Sequence, residues 1–159
     1  FEYYSRHKGT PVCIFRLNYA TDIRYGVIHD IGSEIVADKP VTATVPFFNV
    51  IWQGDAVNYA LQCLEHCTSP ANFMNVTGPE INSTRETAEK LGELMGRQVT
   101  FSGEQQKRAL LSNPSKAIGL FGQPTVGFDQ LLRWEAHWLK EGGRSLGKPT
   151  HFEVKDGKF

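Results

Sequence analysis

Apolar and polar residues follow one another along this chain in blocks whose period switches between that of a strand and that of a helix. Val12 to Leu17 is an apolar run broken only by Arg16, the pattern of a strand covered on both faces in a parallel sheet. The chain then turns polar from Asn18 to Arg24, which predicts a loop. From Tyr25 to Ala37 the apolar positions Val27, Ile28, Ile31, Ile35 and Val36 recur at helical spacing, and Asp38-Lys39-Pro40 stops them. Val41 to Val45 alternates with threonine like a short exposed strand, and Pro46 separates it from the apolar stretch Phe47 to Trp52.

A second helix opens at Gly54-Asp55, with Asp55 as its N-cap and Ala56, Tyr59, Ala60, Cys63, Leu64 and Cys67 on its apolar side. Asn72 to Val76 reads as a short strand running into Thr77-Gly78-Pro79. Ser83 and Glu86 stand at the spacing of a capping box, which predicts a helix through Ala88, Leu91, Leu94 and Met95 to Gly96. Val99 to Phe101 reads as a strand, Pro114 to Leu120 as a short helix, and Phe128 to Leu139 as a helix anchored by Leu131, Leu132, Trp134 and Trp138. Glu141 to Ser145 is linker-like, and His151 to Val154 reads as a loose strand before a turn at Asp156-Gly157. Ahead of all these, Phe1 and Tyr4 precede Lys8-Gly9-Thr10-Pro11, the end of a helix stopped by Gly and Pro. A chain that begins at Phe1, inside a helix, is expected to be part of a longer one. Strands alternating with helices predict an α/β layer structure.

Composition narrows the partners. Among 159 residues, 17 Lys and Arg balance 17 Asp and Glu, so there is no electrostatic footing for nucleic acid or an anionic membrane. No apolar run approaches the ~20 residues of a membrane span, and no basic-then-apolar leader opens the chain. Three cysteines, an odd number, read as reduced thiols and place the protein in the cytoplasm. The sequons at Asn75 and Asn82 are then chance matches.

Several groups invite a chemical reading. Cys63, His66 and Cys67 lack a second ligand cluster at metal-site spacing, so the cysteines are expected to be small core residues and no metal is expected. His29-Asp30 and His137 are expected on solvated helix faces. No Gly-x-Ser-x-Gly elbow, phosphate loop or Gly-x-Gly-x-x-Gly turn is present. The loop Asn18 to Arg24 has a positional claim, because ligands of open parallel sheets bind beyond the carboxyl ends of the strands. Asn18 offers both a donor and an acceptor, and Tyr19, Arg24 and Tyr25 add ring surface and a fixed charge. Composition equally allows a packing role, in which Arg24 caps a helix and the tyrosines pack.

Three segments in order resemble the extended short-chain dehydrogenase/reductases, the NAD-dependent epimerase/dehydratase family. Pro11-Val12-Cys13-Ile14-Phe15-Arg16-Leu17-Asn18-Tyr19 resembles the strand after the catalytic helix, of the form V-x-x-L-R-x-x-N. Phe48-Asn49-Val50-Ile51-Trp52-Gln53-Gly54-Asp55-Ala56 resembles the later segment ending in Asp-x-A. Asn75-Val76-Thr77-Gly78 resembles the final strand, Y-N-V-G. The resemblance covers nearly the whole chain and the C-terminal half of such an enzyme. Tyr4-Ser5-Arg6-His7-Lys8 has the Tyr-x-x-x-Lys form of that family's acid/base pair. Gly9-Thr10-Pro11 ends the helix too soon for that role, and a solvated helix end with Tyr4 packed on the core is expected instead.

The resemblance implies the C-terminal part of a Rossmann-type parallel sheet with a small α/β substrate-binding subdomain. Residues 1–24 would hold the end of the catalytic helix, a parallel strand and the active-site loop, and 25–54 a substrate-subdomain segment. Residues 55–82 would return to the sheet, 83–141 would form the C-terminal substrate subdomain, and 142–159 a linker and tail. Leu17, Asn18 and Tyr19 would face the cofactor, NAD or NADP in the full-length protein and none bound by this portion alone. Asn18, Arg24, Tyr25 and Phe48 would face a small hydroxy, keto or sugar-like substrate. No catalytic residue is expected, because the cofactor loop and the acid/base pair would lie upstream; the partner is then the missing Rossmann portion. Two departures shape the substrate. Ala20 to Arg24 replaces the Gly-Pro turn that often follows the asparagine, and Phe48 stands where nucleotide-sugar enzymes often place a diphosphate-binding arginine, which argues against a nucleotide sugar. A non-catalytic binding or regulatory protein of the same fold is the alternative. A strand Val12 to Leu17 with an open edge would also favour self-association.

Overall fold

The computed structural model describes residues 1–148, Thr150 and Phe152. In chain order its elements are α1 (Glu2–Lys8), β1 (Cys13–Leu17), β2 (Ala20–Thr21), α2 (Val27–Val36), β3 (Val41–Thr42), β4 (Phe47–Phe48), β5 (Ile51–Trp52), α3 (Gln53–Gln62), β6 (Asn72–Val76), β7 (Asn82–Ser83), α4 (Thr84–Met95), β8 (Phe101–Ser102), α5 (Ser115–Phe121) and α6 (Phe128–Lys140). This is the expected mixture of strands and helices. The strand expected over His151 to Val154 and the turn after it lie outside the described residues, Phe152 apart. The chain divides into two compact units. The first holds residues 1–20, 49–79 and 112–126, and the second holds 21–48, 80–111 and 127 onward. Residues 112–126, expected within the 83–141 subdomain, therefore belong with the sheet of the first unit.

In the first unit β1 and β6 run parallel, with Cys13 opposite Asn72 and Leu17 opposite Val76. Side chains alternate across a strand, so Cys13 and Phe15 of β1 and Met74 and Val76 of β6 share one face. There they meet Ile51, Ala56, Tyr59 and Cys63 around α3, and Ala117 of α5. Each large apolar side chain buried in this way contributes about 1.5–3 kcal/mol. The expectation of a strand covered on both faces is corrected. Cys13, Ile14 and Phe15 are half-buried, Arg16 and Leu17 are exposed, and β1 pairs only with β6 among the described residues. Arg16 lies over the ring of Phe73, 4.5 Å from its centroid. The helix α1 stops at Gly9, whose φ of 66° is left-handed backbone that glycine adopts without strain. Tyr4, expected on the core, is exposed, and Ser5 is the buried residue instead; its hydroxyl donates to the Thr68 carbonyl at 3.2 Å.

The second helix of the sequence also starts differently. Trp52 is the N-cap of α3, so Asp55 falls within the first turn, where its buried carboxylate accepts from the Thr125 hydroxyl at 2.5 Å and the Val126 N–H at 3.0 Å. A 3-10 turn over Cys63–His66 follows, and Ala60 and Leu64, expected on the apolar side, are exposed.

The second unit is built on three helices, α2, α4 and α6, which pack on one another through Ile28, Ile31, Ile35, Leu91, Leu131 and Leu132. Two small pairings lie beside them: β3 with β8, parallel, and β4 with β7, antiparallel. The segment read as an exposed strand is core, with Val41, Ala43 and Val45 at most 2% exposed. Thr42 faces a polar partner, donating through its backbone and hydroxyl to the Glu34 carboxylate at 3.0 and 3.2 Å. The capping serine is as expected, Ser83 Oγ accepting the Glu86 N–H at 3.3 Å. Trp134, expected as an anchor of α6, is exposed; the face that packs carries Leu131, Leu132, Glu135 and Ala136.

Candidate functional site

At the carboxyl end of β1 the Asn18 N–H donates to the Val76 carbonyl at 2.9 Å, the last rung of the pairing with β6. Tyr19 then takes a left-handed φ of 46°, uncommon for a side chain of that size, and its carbonyl accepts the Ile51 N–H at 3.2 Å. The kink turns the chain sharply away and leaves Leu17 49% exposed and Asn18 half-buried at the strand end. Beneath them sits Asn49, 2% exposed. Its Oδ1 accepts from Asn18 Nδ2 at 2.8 Å and from the Ser112 N–H at 3.4 Å. Its Nδ2 donates to the Ser112 carbonyl at 2.8 Å and the Gly78 carbonyl at 3.4 Å. One buried carboxamide thus joins the strand end, the turn after β6 and the approach to α5. Gly78 is required there, because a Cβ would run into the Val50 carbonyl oxygen, which accepts the Gly78 N–H at 3.0 Å.

The remaining candidates belong to the second unit. Arg24 is exposed and locked to Asp22, Nε to Oδ1 at 2.8 Å and Nη2 to Oδ2 at 3.0 Å, a bidentate fork. The guanidinium holds the Asp22 carboxyl below its usual range and is itself raised by that carboxylate. Arg24 therefore caps no helix; it pins its own turn, in which Asp22 and Tyr25 exchange backbone hydrogen bonds at 2.9 and 3.1 Å. Residues 18–24, expected to be loop throughout, contain the two-residue β2 as well as this bridge. Tyr25 is half-buried. Phe48 is fully buried with its ring against Phe128, centroids 6.2 Å apart, and acts as a core residue.

Two arrangements were not legible as chemistry. His29, expected on a solvated face, is 3% exposed, and its Nδ1 lies 2.8 Å from Glu135 Oε1 and 3.1 Å from the Ile23 carbonyl. Both neighbours are acceptors, so Nδ1 carries the hydrogen; Nε2 is buried with no partner among the described residues. Burial pulls the imidazole down, but the Glu135 carboxylate, with Asp30 and the Ile23 carbonyl, outweighs it and raises the His29 pKa. Burial raises Glu135, against the opposing pull of His29. The pair thus holds a proton more tightly than either group would in water. In the first unit the three free cysteines gather around Cys63, whose thiol is pushed up to about 12 by burial and then by Cys13 and Cys67. Cys63 is a small core residue, as the sequence suggested, with Cys13 packed half-buried against that core, whereas Cys67 is half-buried outside it; no group of three or more metal-ligating side chains is found among the described residues. A groove of about 580 Å³ between α4 and α6, lined by Lys90, Glu93, Leu94, Asp129, Leu132 and Arg133, holds none of the candidate ligand-binding residues read from the sequence.

No family model matches the chain, and no curated protein matches it. Solved structures do. A UDP-glucuronic acid 4-epimerase from Bacillus cereus, in complex with NAD, superposes with a TM-score of 0.69 at 21% identity, covering 85% of this chain and 45% of that one. UDP-glucose 4-epimerases from Thermus thermophilus, with NAD, and Thermotoga maritima, with UDP-glucose, give TM-scores of 0.67 and 0.70. Their identities are 19% and 15%, over 85% and 89% of this chain and 48% and 50% of theirs. The fold is that of the NAD-dependent sugar-nucleotide epimerases, the Rossmann-type class that the sequence resembles. This chain spans about half the length of the structures it matches. No helix among the described residues is long and apolar enough to cross a membrane.

Proposed function

We propose that this chain is the C-terminal, substrate-binding portion of an NAD(P)-dependent epimerase/dehydratase or reductase that acts on a small hydroxy, keto or sugar-like substrate, and that it has no activity alone. The observation that carries the reading is the likeness to about half the length of NAD-bound epimerase structures. Asn18 at the carboxyl end of a parallel strand supports it, being where open α/β sheets bind ligands. Exposed Leu17 and the carboxamide of Asn18 suit the edge and amide of a nicotinamide, while the sequence has no glycine-rich turn to receive a dinucleotide phosphate. When bound, that cofactor would supply hydride transfer. Leu17, Asn18 and Tyr19 would orient it. Arg24 and Tyr25 would approach the substrate, and the upstream portion would bring the acid/base. Three free thiols suit the reducing cytoplasm, and the open edge of β1 suits self-association.

The test is the protein encoded together with its upstream sequence. A Gly-rich strand-turn-helix and a Tyr-x-x-x-Lys pair ahead of Phe1 are expected. In that protein Asn18→Leu should lower kcat/KM for the NAD(P)-dependent reaction about tenfold, the loss of ~1.4 kcal/mol of transition-state binding. An upstream region lacking both motifs, or an unchanged kcat/KM, refutes the enzyme reading and favours a binding protein of the same fold.

A further inference from the structure

We propose that Asn49 is a positioning residue that turns the side-chain carbonyl of Asn18 toward the ligand, so that the site takes a neutral O–H or N–H donor, such as a polyol hydroxyl, in preference to a phosphate. The inference rests on the reading of Asn18 as ligand-facing and says which end of its amide faces the ligand.

Backbone groups decide the orientation. The carbonyls of Gly78 and Ser112 can only accept, so the Asn49 atom facing both, at 3.4 and 2.8 Å, is the NH₂. The Ser112 N–H can only donate, so the atom it meets at 3.4 Å is Asn49 Oδ1. That oxygen also faces Asn18 at 2.8 Å, so the Asn18 atom against it is Nδ2. The donor end of Asn18 is therefore held inward by a residue that is 2% exposed, and Oδ1 is the end left to point away from Asn49. An outward carbonyl attracts a donor and repels an anion unless a cation stands by.

Arg24, which would approach the substrate, already has its guanidinium engaged in the bidentate fork with Asp22, and the four cations of the first unit are placed elsewhere. Arg6 pairs with Glu2 at 2.6 Å, and Lys8 ends α1, before β1 begins, whereas Asn18 follows its last residue. Arg16 lies over Phe73, and Lys116 donates to the Asn72 side chain and, at 3.0 Å, to the Phe73 carbonyl.

The test observes the Asn18 side-chain amide by NMR in the ¹⁵N-labelled chain while myo-inositol or pyrophosphate is added. Inositol should move the Asn18 signals with an affinity about tenfold or more above that of pyrophosphate, the worth of roughly one hydrogen bond. In Asn49→Leu the Asn18 amide is free to rotate, and the preference should fall about tenfold, to near unity. Asn49→Asp keeps an acceptor opposite Asn18 Nδ2 and should keep the preference, although both variants strand the Gly78 and Ser112 carbonyls and lose stability. The contrast between the two separates positioning from mere structural support. Pyrophosphate binding as well as inositol in the unaltered chain, or a preference that survives Asn49→Leu, overturns the proposal, as does failure of both probes to move Asn18. If Asn18→Leu still impairs the whole protein in those cases, only the donor selectivity has failed; if it does not, the ligand-facing role of Asn18 has failed with it.

Discussion

Replacing Glu135 by leucine removes the carboxylate that receives the Nδ1 hydrogen of His29 inside the helical unit. The two side chains are 4% and 3% exposed and 2.8 Å apart, so no water replaces the lost partner. Breaking a buried ion pair from one side costs about 3–5 kcal/mol. The low end applies, because the imidazole can shed its charge and keep the Ile23 carbonyl at 3.1 Å. A loss of ~3 kcal/mol in a domain of this size lowers Tm by roughly 6–12 °C. Removing both partners, His29→Leu with Glu135→Leu, leaves no stranded charge, only the Ile23 carbonyl without its His29 donor, and should recover part of that loss.

The pH dependence gives a sharper sign. His29 is raised above its ordinary 6.5, so its stabilisation is complete below pH 6.5 and is lost as pH climbs through the folded-state value. Glu135, raised above 4.5 by burial, acts in the same direction. The unaltered chain should therefore lose Tm as the pH rises above about 6.5. In Glu135→Leu burial is left to lower the His29 pKa, with only Asp30 and the Ile23 carbonyl opposing, so the His29 contribution reverses and grows with rising pH. Thermal melts followed by circular dichroism across this range measure both effects. A Glu135→Leu chain within ~1 kcal/mol of the original, or one with the original pH slope, refutes the account of a buried proton-holding pair.

Asp55→Ala should cost about 1.5–3 kcal/mol, as expected for hydrogen bonds to a charged acceptor, and should raise amide hydrogen exchange at Val126, which loses its acceptor; unchanged protection there would contradict the role given to Asp55. Gly78→Ala forces a Cβ into the Val50 carbonyl and should destabilise the chain by ~3 kcal/mol or more in urea melts, against the near-neutral result of a surface glycine. The open edge of β1 predicts a concentration-dependent dimer in sedimentation experiments, and a clean monomer at high concentration would count against it.

Elements with long apolar periods were legible from the sequence, and sites made by distant partners were not. The strands β1 and β6 and the helices α2, α4 and α6 follow directly from the spacing of Val, Ile and Leu, because burial of one face dictates that spacing. Val41 to Val45 looked exposed because its threonines alternate with apolar residues; those threonines instead face Glu34 and Gly103. His29 lies 106 residues from Glu135, and no local pattern announces such a partner. Asp55 looked like a cap because the sequence does not reveal that α3 begins at Gln53 or that residues 125–126 return to it. Asn49 carried a usable signal, a lone carboxamide inside the apolar stretch Phe47 to Trp52, where a buried polar side chain must be hydrogen-bonded.

Calorimetric titration of NADH into the 159-residue chain, alone and joined to its upstream portion, tests most directly whether this chain is one wall of a shared site. Binding is predicted only for the joined form, with no measurable heat for the chain alone at concentrations up to the millimolar range. Micromolar binding by the chain alone, or none by the joined form, would contradict it.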